Sequence, residues 1–177
     1  MPRRLTVLAV AVCAVLGAAA GPDARSLSEA WREIVWPFPR DGWPAGRAFR
    51  CAGESCAGIE VYVRPKAGFC NCDSGVADDD EVDRVADLDL MSERFTPLEA
   101  GQVIRIADMP GRLRNYDLRM SDGAQHAAVG IAVSRRCDLL VAVAQGKGAA
   151  AEVQRVALDF LATQAMTRWM TSAMGGG

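Results

Sequence analysis

The stretch Val129-Gly130-Ile131-Ala132-Val133-Ser134-Arg135-Arg136-Cys137-Asp138-Leu139-Leu140-Val141-Ala142-Val143 reads as two strands and the turn between them. Val129, Ile131 and Val133 alternate with small residues, and Leu139, Val141 and Val143 answer them after Ser134-Arg135-Arg136 turns the chain. Both faces of this hairpin are apolar or small. A hairpin of that kind belongs in the middle of the sheet.

The chain downstream is simple. Gly146-Lys147-Gly148 releases it into one long helix over about 149–171, with Val153, Val156, Ala157, Phe160 and Leu161 on the buried side. Met174 and the terminal glycines read as a frayed tail over 172–177. Upstream, Gln102–Ile106 and Arg112–Met120 read as strands, and Asp122-Gly123 as a hairpin turn. Asp78 opens a helix with Glu81 in capping-box position, fading near Met91. Its first-turn carboxylates suit the positive end of the helix dipole. Ile59, Val61 and Val63 alternate with Glu60, Tyr62 and Arg64 as a half-buried strand that Pro65 ends. Arg47–Cys51 is a further strand. Trp36-Pro37-Phe38-Pro39-Arg40-Asp41-Gly42-Trp43-Pro44 opens an extended strap over 36–46, because proline restricts both itself and its predecessor. Ser26 and Glu29 form a capping box for a short helix over 27–35. The expectation is an α+β fold: an antiparallel sheet of five or six strands, helices packed on one face, and a cysteine-rich N-terminal half.

Residues 1–20 have the layout of a secretory signal peptide. Arg3 and Arg4 precede an apolar run from Leu5 to Leu16, and Ala18-Ala19-Ala20 supplies small residues for cleavage. An uncleaved N-terminal anchor is the other reading of this segment. No later stretch approaches the ~20 apolar residues that a span needs. Residues 21–177 then form a single domain, and a periplasmic location follows. Removing Arg3 and Arg4 leaves a net charge near −4, which argues against nucleic acid as a partner.

Export places five cysteines in an oxidising compartment: Cys51, Cys56, Cys70, Cys72 and Cys137. Cys51 and Cys56 flank a turn, where their Cα atoms can approach the ~4.4–6.8 Å that a disulfide needs. Cys70 and Cys72 face the same way on an extended chain, roughly 6.5 Å apart. Each therefore pairs elsewhere or acts as a ligand. Cys137 is an inert buried thiol or the disulfide partner of Cys70 or Cys72. Three readings compete. The first is two disulfides and a spare thiol. In the second, Cys51, Cys56, Cys70 and Cys72 hold copper(I) or zinc, although the Cys-x2-Cys knuckles of zinc sites are missing. The third is thiol–disulfide exchange, which lacks a Cys-x-x-Cys motif. Connectivity stays open, with about 15 possible arrangements.

His126 is the sole histidine, so sites needing two histidines from one chain are excluded. No Gly-x-Ser-x-Gly elbow is present. The acidic run Asp78–Glu81 lacks the spacing of a calcium loop and reads as the solvated face of a helix N-terminus. No nucleotide-binding glycine pattern occurs. Trp36, Phe38 and Trp43 either pack over the core or form an aromatic platform for a partner.

Two segments carry a resemblance. One runs from Trp36-Pro37-Phe38 through Asp41, Trp43, Gly46, Ala48 and Phe49 to Cys51. The other holds Arg64-Pro65-Lys66, Gly68-Phe69-Cys70-Asn71-Cys72 and Gly75. Together, over about 36–90, they resemble a group of exported alphaproteobacterial proteins with no assigned activity. The resemblance implies a periplasmic location and no activity, cofactor or site residue. The expectation for function is a non-enzymatic, disulfide-stabilised binding domain with an envelope protein as partner and no cofactor. The alternatives are a copper or zinc carrier, then a thiol redox protein.

Overall fold

The computed structural model describes residues 30–39, 41–56 and 58–175. The signal segment and the capping box at Ser26–Glu29 lie outside them. Eight strands form one antiparallel sheet: β1 (Trp31–Ile34), β2 (Arg47–Cys51), β3 (Glu60–Lys66), β4 (Phe95–Pro97), β5 (Gln102–Ile106), β6 (Met109–Arg119), β7 (Gln125–Arg135) and β8 (Asp138–Gly146). The sheet order is β1-β2-β3-β8-β7-β6-β4, and β5 also pairs with β6. The β7–β8 hairpin sits in the middle, with Ala132 opposite Val141.

The sheet has more strands than expected. Ala30 is helical, but Trp31–Ile34 is an edge strand rather than the helix that the capping box suggested. Pairing decides this. Trp31–Ile34 lies against Cys51–Ala48, and the Trp31 ring stacks on Phe160 with centroids 4.2 Å apart. Tertiary contacts of that size override the small differences in helix propensity. β4 was also missed, because three residues are too few to show a period. It shares one edge of β6 with β5: β5 pairs with Met109–Leu113, and β4 with Tyr116–Leu118.

Pro65 does not end β3. It pairs with Leu140 on one side. The β2 pairing on the other side stops at Val63, so the missing N–H leaves no gap in a ladder. Gly46 marks the divergence of the two strands, since a Cβ there would sit 2.3 Å from the Val63 carbonyl oxygen.

Helices cover both faces, not one. Helix α1 (Asp79–Val85) packs Val82 and Val85 against Tyr116, Leu118, Ala128, Ala132, Leu139, Val141 and Val143. Helices α2 (Ala150–Leu161) and α3 (Gln164–Ala173) cover the opposite face, where Val61, Val63, Val129, Ile131, Leu140 and Ala142 meet Val153, Phe160 and Met170. The continuous helix expected over 149–171 is broken. The Thr163 hydroxyl donates to the Phe160 carbonyl at 2.7 Å and accepts from the Met166 N–H, capping α3. Met174 is buried in the core rather than frayed. Asp78 caps α1 as expected, accepting from the Glu81 N–H at 2.9 Å, but the helix ends at Val85. A 3-10 turn over Leu88–Leu90 follows.

Candidate functional site

The cysteines do not gather into one centre. Cys51, at the end of β2, bonds Cys56 in the 3-10 turn Glu54–Cys56, on the α2/α3 face. Cys72, in the loop after β3, bonds Cys137 in the β7–β8 turn. Cys70 is a free thiol buried on the α1 face. A four-thiolate site built from Cys51, Cys56, Cys70 and Cys72 is therefore not assembled: two of these sulfurs lie on one face of the sheet and Cys70 on the other. Among the described residues, no group of three or more His, Cys, Asp or Glu side chains is placed to hold a metal. Cys70, Cys72 and Cys137 do come together. The Cys70 N–H donates to the Cys137 carbonyl at 3.0 Å. Burial pushes the Cys70 thiol up from its ordinary range, partly offset by a hydrogen bond with Ser134.

The aromatic strap lies across the α1 face of β3. Trp36 and Phe38 meet Tyr62 edge-on, with centroids 6.1 and 4.8 Å away. Trp43 instead packs on Phe69 at 5.0 Å. Trp36, Phe38 and Trp43, read above as either packed over the core or a platform for a partner, are all half-buried. Beneath them lies a charge cluster that sequence reasoning missed. Arg64, 2% exposed, donates to both oxygens of Asp41 in the strap (2.9 and 2.6 Å) and to both of Asp87 (2.8 and 2.7 Å). Lys66 donates to Asp87 at 2.5 Å and to the Val85 carbonyl at 2.9 Å. The Arg64 hydrogen bond holds the Asp41 carboxyl down at about 2. Asp87 turns the chain at the end of α1 with φ 59°, which aims its carboxylate back at β3. The signal was in β3 itself: Arg64 and Lys66 continue the row begun by Tyr62, and a covering strap makes that row internal.

A second polar row crosses the sheet at the far end of the same face. Arg50 Nε and the Tyr62 hydroxyl both donate to Glu60, and Gln145 Nε2 donates to it at 3.0 Å. This orients Gln145 so that its Oε1 accepts from His126 Nδ1 at 2.7 Å. Burial opposes the Glu60 charge, but the hydrogen bonds from Tyr62, Arg50 and Gln145 outweigh it and keep the carboxyl below its usual range. His126 is half-buried and tied into a structural row. The acidic run is also used internally: Asp79 accepts from Arg112 at 2.5 Å, and Asp83 from Arg114 at 2.8 Å and Tyr116 at 2.5 Å.

One end of the sheet is open. A cleft of about 560 Å³ lies between the loop Cys72–Val76, the β5–β6 turn Ala107–Gly111, the β7–β8 turn Ser134–Arg136 and Thr171 of α3. Its walls are held in shape. Asn71 Oδ1 accepts from the N–H groups of Asp73 and Ser74, and the Gly75 N–H bonds the Asn71 carbonyl. Gly75 approaches so closely that a Cβ would meet the Ser134 hydroxyl at 2.5 Å. Ala107, Asp108 and Arg136 all have positive φ, which sets both hairpin turns at the rim. The Cys72–Cys137 disulfide ties the loop to the β7–β8 turn. Arg135 and Arg136 are exposed beside Asp73 and Asp108, so the rim carries both signs of charge.

No family model and no curated protein matches the chain. Among solved structures, it is similar to PA94, a protein of unknown function from Pseudomonas aeruginosa. Identity is 16% and the TM-score 0.38, over 77% of this chain and 79% of that one. A likeness so distant carries no property of the site. Among the described residues, no helix is long and apolar enough to cross a membrane.

Proposed function

We propose that this chain is an exported, periplasmic binding domain without catalytic activity of its own, and that the cleft at the open end of the sheet receives an envelope protein. The cleft carries the proposal. It is wide, built from three loops on a rigid sheet, and braced by a disulfide that an oxidising compartment would preserve. Loops held on a scaffold are where recognition concentrates, and a rim of mixed charge suits a protein surface better than an apolar small molecule. The row through His126 ends in Gln145 and Glu60 and supplies no nucleophile to the ring.

Photo-crosslinking tests this. A crosslinking residue at Asp108, Arg136 or Thr171 should capture one discrete protein in intact cells. The same residue at Glu93, beyond the other end of β6, should not. Exchange of Arg135 and Arg136 for Glu should weaken the capture at least tenfold. A turnover abolished by His126→Ala would overturn the reading. Copper or zinc carriage by the cysteines is the weaker alternative, since four of the five sulfurs are bonded to one another and would have to be reduced first.

A further inference from the structure

We infer that Cys70, Cys72 and Cys137 form a thiol–disulfide exchange unit, in which the Cys72–Cys137 bond isomerises to Cys70–Cys137 and releases the Cys72 thiol into the cleft. The geometry sets two cysteines in competition for one. Cys72 is bonded to Cys137. Cys70, two residues earlier, is joined to the same Cys137 through its backbone, N–H to carbonyl at 3.0 Å. That bond sets the two backbones side by side. Cys51 and Cys56 lie on the opposite face and take no part. The two competitors differ in environment. Cys70 is buried, whereas Cys72 is exposed and lines the cleft. Ser134 lines the cleft, and its side chain partly offsets the upward push that burial gives the Cys70 thiol.

The step balances without an outside reagent. Cys70 Sγ loses its proton, and the thiolate attacks Cys137 Sγ. The Cys72–Cys137 bond breaks as the Cys70–Cys137 bond forms. Cys72 Sγ leaves as a thiolate and takes up the proton. Nothing is oxidised or reduced overall. Burial makes the Cys70 thiolate scarce near neutrality, which holds the unit in its resting isomer. Of the charged groups facing Cys70 from α1, Glu81 opposes the thiolate and Arg84 favours it, and the two pair with each other at 2.7 Å. From β7 the facing group is the neutral Ser134 hydroxyl. Exchange therefore accelerates with pH, about tenfold per unit below the raised thiol pKa. The second isomer presents a nucleophilic thiol where the first presents an inert disulfide. A small-molecule disulfide or a partner's cystine would react with that isomer alone.

The oxidised protein is held without denaturant at about pH 6 and about pH 9, quenched with acid, unfolded, and labelled with N-ethylmaleimide. The thiol label should sit on Cys70 after the low-pH incubation. After the high-pH incubation it should move to Cys72, with a Cys70–Cys137 crosslinked peptide, and Cys70→Ser should abolish that movement. Label confined to Cys70 at both pH values would overturn the proposal. Cys72→Ser gives a second reading. It should fold with a Cys70–Cys137 bond and no alkylatable thiol, whereas two alkylatable thiols in the folded variant would also overturn it.

Discussion

At the residue scale, the molecule turns on Arg64. A guanidinium that is 2% exposed is tolerable only because Asp41 and Asp87 both reach it. Breaking such a pair leaves a buried charge uncompensated, at a cost of about 3–5 kcal/mol. Asp87→Ala, which strips both Arg64 and Lys66 of a partner, should lower the unfolding free energy in urea by roughly that amount; a loss under about 1 kcal/mol would show the cluster to be solvated. Asp41 adds a pH dependence with a definite sign. Its folded pKa is depressed to about 2 from the usual 3.8, so its stabilisation is present above pH 4 and disappears as pH falls toward 2. Asp41→Asn should flatten the stability profile across that window, as followed by urea midpoints at stepped pH. An unchanged slope would mean that another carboxylate governs acid unfolding. The charge cluster was only half legible in sequence. Alternation in β3 identified Tyr62 and Arg64 as a polar face, and a polar face is ordinarily wet. Only the strap, whose path depends on contacts some twenty residues away, turns it inward.

At the element scale, periodicity was readable where it was long. The β7–β8 hairpin, β5, β6 and the first helix of the C-terminal pair all lie close to where their patterns placed them. Elements of three or four residues carried too little pattern, which is why β4 went unseen and β1 was mistaken for a helix. The break between α2 and α3 did have a local signal in Thr163, a good N-cap set within good helix formers. Thr163→Ala should destabilise the protein by about 1 kcal/mol, read from thermal unfolding. A stabilised variant would mean that the two helices prefer to be one. Gly46 tests the divergence of β2 from β3. Gly46→Ala places a methyl against the Val63 carbonyl and the Trp36 ring. It should cost roughly 1–3 kcal/mol, and a neutral result would show that the strap edge gives way freely.

At the scale of the whole molecule, the two disulfides do different work. Cys51–Cys56 closes five residues of chain and Cys72–Cys137 closes 65. Chain entropy then assigns about 2 kcal/mol to the first and about 4 kcal/mol to the second. Cys137→Ser should thus cost more stability than the paired change of Cys51 and Cys56 to Ser; the reverse order would place the main brace at the wrong end of the sheet. Two bonds and a spare thiol was the first of three readings that the cysteine count left open, and it is the one the structure holds. Which cysteines pair was not readable, because Cys137 is brought beside Cys70 and Cys72 only by the β3–β8 pairing. The cleft was equally invisible, being assembled from segments between Cys72 and Thr171 that no local pattern connects.

The account depends on the cysteines being a brace with one spare thiol rather than a metal centre. The intact mass of the protein isolated without reductant, native and denatured, with and without alkylation, tests that directly. The prediction is a loss of four hydrogens, no bound metal, and one alkylatable thiol, which maps to Cys70 near neutral pH. Three or more free thiols together with an added metal mass in the native spectrum would contradict it and make the cysteines the functional site.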